Sequence, residues 1–181
     1  MRVVHRVSPL TASLIETVAR QLAINPYGLH GLAHWARVLD NGLRLAATNG
    51  ADTTVVELFA LFHDSRRLGE DADPEHGPRG AELAAQLHGT LFHLSPEQLE
   101  LLLTACRLHT TARSHENLTV QTCFDADRLD LARIGKEVDP EYLCTRAAKD
   151  PATITSASAR SIAGLIPHNP LGLLLPHRPH H

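Results

Sequence analysis

The sequence predicts an all-α fold built as a single helical bundle. Apolar residues recur at helical spacing through most of the chain. Helix-starting signals stand at Thr54, Ser95 and Asp139. Alternating apolar and polar runs of strand type are nearly absent. A chain of 181 residues suits one domain that buries about 70% of its unfolded surface.

The elements follow in order. Leu14, Val18 and Leu22 are spaced by four and predict a first helix over 11–23. Asn25-Pro26-Tyr27-Gly28 reads as a turn. A second helix is expected over 29–47, ending near Asn49-Gly50. Thr54-Val55-Val56-Glu57 has capping-box spacing and opens a third, strongly apolar helix that runs to Phe62. Residues 65–77 hold Gly69, Pro74 and Gly77 among charges and read as a loop. A helix is expected over 78–88. Ser95-Pro96-Glu97-Gln98 supplies an N-cap, a proline at the first helical position and a glutamine at the third. The helix it opens sets Leu99, Leu102, Leu103 and Cys106 on one face, which His109 continues. A further helix is expected over 118–134, and Asp139-Pro140 caps a last one over 140–149. Beyond Pro151 the composition shifts to Ser, Ala, Pro and Gly. We therefore expect residues 1–150 to form the bundle. Residues 151–181 read as a C-terminal tail packed on it or frayed from it, the ending His177-Arg178-Pro179-His180-His181 being frayed.

Composition narrows the partners. The net charge of −3 leaves no basic footprint for long nucleic acid. A small molecule is the expected partner. Cys106, Cys123 and Cys144 form no CxxC pair and read as reduced thiols packed as small hydrophobes. The N-terminal stretch has no unbroken apolar region of signal-peptide length, and the apolar stretch Gly164–Pro176 is broken by Pro167, His168, Asn169 and Pro170. The expectation is a cytoplasmic protein with no membrane contact.

The chemistry gathers at His63-Asp64, which closes the apolar run Val55–Phe62. A carboxylate at the end of a buried helix needs a cation or a dense set of donors. His34 lies upstream and Asp127 downstream, giving the order His, His-Asp, Asp. His76 and His109 are further ligand-type residues between them. Mixed imidazole and carboxylate donors suit Mn, Fe, Zn, Ni or Co. Neighbouring helical side chains point about 100° apart, so His63 and Asp64 share one ion only near a helix end, unless Asp64 bridges two ions. One divalent ion is the primary expectation and two the alternative.

Five stretches carry a resemblance: His30-Gly31-Leu32-Ala33-His34-Trp35-Ala36-Arg37-Val38, Leu61-Phe62-His63-Asp64, His76-Gly77-Pro78-Arg79-Gly80-Ala81, Arg107-Leu108-His109 and Asp125-Ala126-Asp127-Arg128-Leu129-Asp130. In this order the chain resembles the HD-domain superfamily of metal-dependent phosphohydrolases over roughly residues 28–135. It is most similar to bacterial HD-domain proteins of no assigned substrate. The resemblance implies an all-α bundle with His34, His63, Asp64 and Asp127 as metal ligands, and His76 and His109 as second-metal ligands or phosphate contacts. Many members follow the pair with Ile-Gly. Here Ser65-Arg66 stands instead, which argues against the cyclic-dinucleotide phosphodiesterase branch. The function implied is hydrolysis of a nucleotide or other small phosphoester by a metal-activated water. Arg37, Arg66, Arg67 and Arg128 are then candidates to hold the phosphate. Two alternatives are a non-catalytic metal- or nucleotide-binding sensor and a di-iron oxygenase of the HD type.

Overall fold

The computed structural model describes residues 7–175. Eight α-helices cover Ala12–Ala19 (α1), Leu32–Asn49 (α2), Thr53–Phe62 (α3), His76–Leu87 (α4), Pro96–Leu108 (α5), Leu118–Arg128 (α6), Arg146–Lys149 (α7) and Pro151–Ile162 (α8). Short 3-10 turns occupy Leu131–Ile134, Pro140–Tyr142 and Gly172–Leu174. Among the described residues there is no strand, only an isolated bridge between His88 and Phe92.

α3 is the buried axis. Every residue from Val55 to Phe62 is buried, so its face-independent apolar run reflects burial on all sides. α2, α5 and α6 surround it, and α4 packs along α5. Trp35, Phe59, Phe62 and Phe124 are the largest fully buried side chains of the main core. Leu45, Leu129, Val138, Leu143, Ala148 and Ala157 form a second, smaller core under the C-terminal elements. Two glycines set the close approach of α4. A Cβ on Gly80 would collide with the Phe62 carbonyl, and one on Gly77 with the Cys106 carbonyl.

Several boundaries differ from the sequence expectation, each for a local reason. Asp52, not Thr54, caps α3: its carboxylate accepts from the Thr54 and Val55 amides at 2.8 and 3.3 Å. Ser95 and Gln98 make the expected capping box. The helix expected over 118–134 stops at Arg128 and resumes as a 3-10 turn. The helix expected over 140–149 does not form as one piece. The Cys144 and Thr145 amides donate to the Asp125 carboxylate at 2.6 and 2.7 Å instead of to helical carbonyls, which breaks the segment at 143–145. The segment read as a tail contains α8. Asp150 caps it, accepting from the Ala152 amide at 2.9 Å, and Pro151 fills its first position. α8 packs on the 131–134 turn and α7. The chain then runs back over α2, where Asn169 Nδ2 donates to the Ala36 carbonyl at 3.0 Å and Leu171 and Leu175 enter the main core. The expectation for the terminal histidines lies outside the described residues.

Candidate metal centre

Helix ends assemble the centre. His34 sits in the first turn of α2, and His63 is the residue on which α3 ends, with Asp64 next. His76 opens α4, His109 closes α5, and Asp127 lies one residue before the end of α6. Loop closure at these ends lets side chains leave the helices toward one point rather than along one face. All six sequence candidates are thereby brought together.

They fall into two groups of three. His34, His63 and Asp127 each offer a ligand atom within 4.8 Å of the others, and so do Asp64, His76 and His109. Asp64 faces both groups. Its Oδ2 lies 3.6 Å from His34 Nε2 and 3.8 Å from His63 Nε2. Its Oδ1 lies 3.0 Å from His76 Nε2 and 3.8 Å from His109 Nε2. Asp127 Oδ1 lies 3.3 Å from His34 Nε2. The four imidazoles and Asp64 are buried, while the Asp127 side chain is 19% exposed and marks an opening to solvent.

The back of each ring fixes its front. His34 Nδ1 donates to Asp130 Oδ2 at 2.7 Å. His63 Nδ1 donates to the Phe59 and Ala60 carbonyls at 3.2 Å, and His109 Nδ1 to the Cys106 carbonyl at 2.8 Å. His76 Nδ1 donates to the Asp73 carbonyl. A carbonyl or carboxylate oxygen only accepts, so each Nδ1 carries the proton and each neutral ring keeps its lone pair on Nε2. Those lone pairs face one another: His34 and His63 Nε2 are 3.1 Å apart, His76 and His109 Nε2 3.0 Å apart. Two lone pairs at that distance repel unless positive charge sits between them. The donor set therefore fits a divalent transition metal, with Asp64 able to serve two ions.

The electrostatics agree. Burial pushes the His63 imidazole down to about 3, against the pull of Asp64 and Asp127, and keeps it in the neutral form that ligates. Burial would raise both carboxyls. At Asp64 it is outweighed by the pull of the facing His63, His109 and His76 imidazoles, which hold that carboxyl well below its usual range. At Asp127 the pull of the facing His34 and His63 imidazoles does the same. Burial would lower His109, yet the facing Asp64 carboxylate raises it, so a proton is drawn to the Nε2 position that a bound ion would occupy. The cluster keeps its carboxylates ionised and draws positive charge to its centre.

The arginine candidates divide. Arg67 is at the centre: its Nη1 lies 3.6 Å from Asp64 Oδ1, while its Nε and Nη2 donate to the Gly69 and Asp71 carbonyls. Arg37 is one shell back, with Nε donating to Asp130 Oδ1 at 2.6 Å and Nη1 to the Leu165 carbonyl at 3.4 Å. Arg66 turns to Gln21 at the end of α1. Arg128 turns the other way and donates to the Ala112, Arg113 and Tyr142 carbonyls. These contacts make Arg128 a strap between loops, a correction to its reading as a phosphate contact. Sequence reasoning passed over Asp130, which holds both His34 and Arg37. Its signal was its place three residues after Asp127, one helical turn on.

An all-α bundle whose helix ends converge on six side chains able to ligate a metal is the class that fold and site define. The structure is similar to that of a predicted HD superfamily hydrolase from an uncultured Thermotogales bacterium, with a TM-score of 0.64 and 25% identity over 88% of this chain and 91% of the other. That likeness supports the resemblance to the HD-domain superfamily read from the sequence. No family model matches the sequence, and no curated protein matches it.

Proposed function

We propose that this protein is a metal-dependent phosphohydrolase acting on a nucleotide or other small phosphoester. The observation that carries the reading is the convergence of four Nε2 lone pairs on two carboxylates, each ring held from behind. The HD superfamily hydrolase likeness supports the hydrolase class. His34, His63, Asp64 and Asp127 would hold one ion, and His76 and His109 with Asp64 a second.

A bound divalent ion would supply an acidified water and a Lewis acid for a phosphoryl oxygen. The protein's own part is to hold the donors fixed and bury them from bulk water. Asp130 keeps the His34 ring in its ligating tautomer. Arg67 adds a guanidinium beside the cluster, where negative charge on a phosphoryl group would be offset. In the overall reaction water oxygen bonds to phosphorus, the ester P–O bond breaks, and the leaving oxygen takes up a proton.

The test is a panel of nucleotides and small phosphoesters with Mn²⁺, Mg²⁺, Co²⁺ and Ni²⁺, using Asp64→Ala as control. Metal-dependent phosphate release lost in the variant is the expected result. Equal turnover in both proteins for every compound would refute the reading. The sharing of Asp64 between two histidine-rich groups also favours a second reading, oxygen activation by two irons. Oxygen consumption and colour in an iron-loaded sample would select it.

A further inference from the structure

The two groups of three share Asp64, but their surroundings differ in charge. Beside the first group, the guanidiniums of Arg37 and Arg133 face Asp130 at 2.6 and 3.8 Å. A carboxylate outside the candidate ligands therefore offsets them. The first group also has a carboxylate of its own, Asp127, besides the Oδ2 side of Asp64. The second group has His76, His109 and the Oδ1 side of Asp64.

Arg67 stands against that second group. Its Nη1 lies 3.6 Å from Asp64 Oδ1, and 3.3 and 3.4 Å from the two ring nitrogens of His76. Near-equal distances to both nitrogens put Nη1 off either lone-pair direction. A donor in line with Nε2 would be clearly farther from Nδ1. The Nε2 lone pair thus stays open while a full positive charge sits beside it. That charge is held in place: Arg67 is buried, and its Nε and Nη2 donate to the Gly69 and Asp71 carbonyls at 3.3 and 2.8 Å. Those acceptors are neutral. Among the described residues Asp64 is the one carboxylate within 4.0 Å of the guanidinium.

We propose that Arg67 makes the two groups unequal. A first ion settles on His34, His63, Asp127 and Asp64, and the buried guanidinium holds the affinity of Asp64, His76 and His109 for a second ion well below that of the first. This rests on the metal-binding part of the proposed function and not on its reaction. Two cations beside one carboxylate repel each other, and burial strengthens the repulsion because water does not screen it. Asp64 is also already committed to the first ion through Oδ2, so the second group has less negative charge to set against Arg67.

Calorimetric titration of the metal-free protein with Mn²⁺ alone tests this without turnover. The wild type should show one tight binding event and a second at least about tenfold weaker. His109→Ala should delete the weak event and keep the tight one, which assigns the two. Arg67→Met keeps most of the stem and removes the charge. It should tighten the second event about tenfold or more and move the first much less, with helical circular dichroism unchanged. Arg67→Gln should do the same and serves where the methionine variant does not fold. Arg67→Lys keeps a cation and should leave the second event weak. A second event that appears only in the neutral variants supports the proposal equally. Two events of equal affinity in the wild type, or a second event no tighter in the neutral variants than in Arg67→Lys, would overturn it. Mn²⁺ bound by none of these proteins would refute the metal reading and the proposal together. Unequal binding with no phosphoester turned over would refute the hydrolase reading alone and leave the inequality standing.

Discussion

At the residue scale the decisive feature is the direction of imidazole nitrogens. Each Nδ1 is committed to an oxygen behind it, so each Nε2 is committed to the centre. Asp64→Ala removes the one carboxylate that faces both groups. It should abolish near-stoichiometric metal uptake, measured by elemental analysis. Retention of full metal and full thermal stability would refute the ligand assignment. Asp130→Asn keeps the size but weakens the hold on His34 and Arg37. Metal affinity should fall about 10–100-fold with the helical circular dichroism unchanged. Arg128→Ala should behave oppositely. Its donors serve three loop carbonyls, so it should cost about 1–3 kcal/mol of stability and leave metal binding intact.

At the scale of elements, helix ends do the positioning, and close packing holds the ends in place. Gly80 lets α4 touch the Phe62 carbonyl just before His63. Gly80→Ala inserts a methyl group against backbone, so α4 must shift and take His76 with it. We expect a loss of about 1–3 kcal/mol in denaturant melts. Metal stoichiometry should fall where His76 contributes. Asp125 organises the opposite end. Its carboxylate accepts the Cys144 and Thr145 amides and sets the start of α7. Asp125→Ala leaves two amides without that partner and should cost about 2–4 kcal/mol. Asp125→Asn, which still offers one acceptor oxygen, should cost less. Local signals predicted many of these elements because caps act within one turn. Ser95-Pro96 is an example. The same logic applies to Asp150-Pro151, where the run of small polar residues after it masked a helix start. Asp125 interrupts the segment after Asp139-Pro140 through a contact 19 and 20 residues away, which no local rule contains.

At the scale of the molecule, the candidate metal centre joins α2, α3, α4, α5 and α6 at one place, so occupancy by an ion should be felt by the whole fold. Chelation should lower the melting temperature of the wild type and leave Asp64→Ala unmoved. Saturating metal at about 100 times its Kd is worth about 2.7 kcal/mol. A melting curve indifferent to chelator in the metal-loaded wild type would contradict a bound ion. The C-terminal run over α2 contributes to the same body, because Leu171 and Leu175 enter the main core and the Leu165 carbonyl accepts from Arg37. Leu171→Ala should cost about 2–5 kcal/mol.

The sequence by itself determined the helical class, the buried third helix and the ordered set of six ligand-type residues. These are written in periodicity, in caps and in polar residues placed where an apolar helix ends, all of which act locally. Only the tertiary structure decided that the six split into two groups sharing Asp64. It alone showed that Asp130 stands behind His34, that Arg67 reaches the cluster, and that Arg128 is tied up elsewhere. A guanidinium on a long flexible stem can serve any acceptor within its reach. Which acceptor it meets depends on loops brought together from 14 to 16 residues away for Arg128 and from 93 for Arg37. That choice is made by packing, not by the residues on either side.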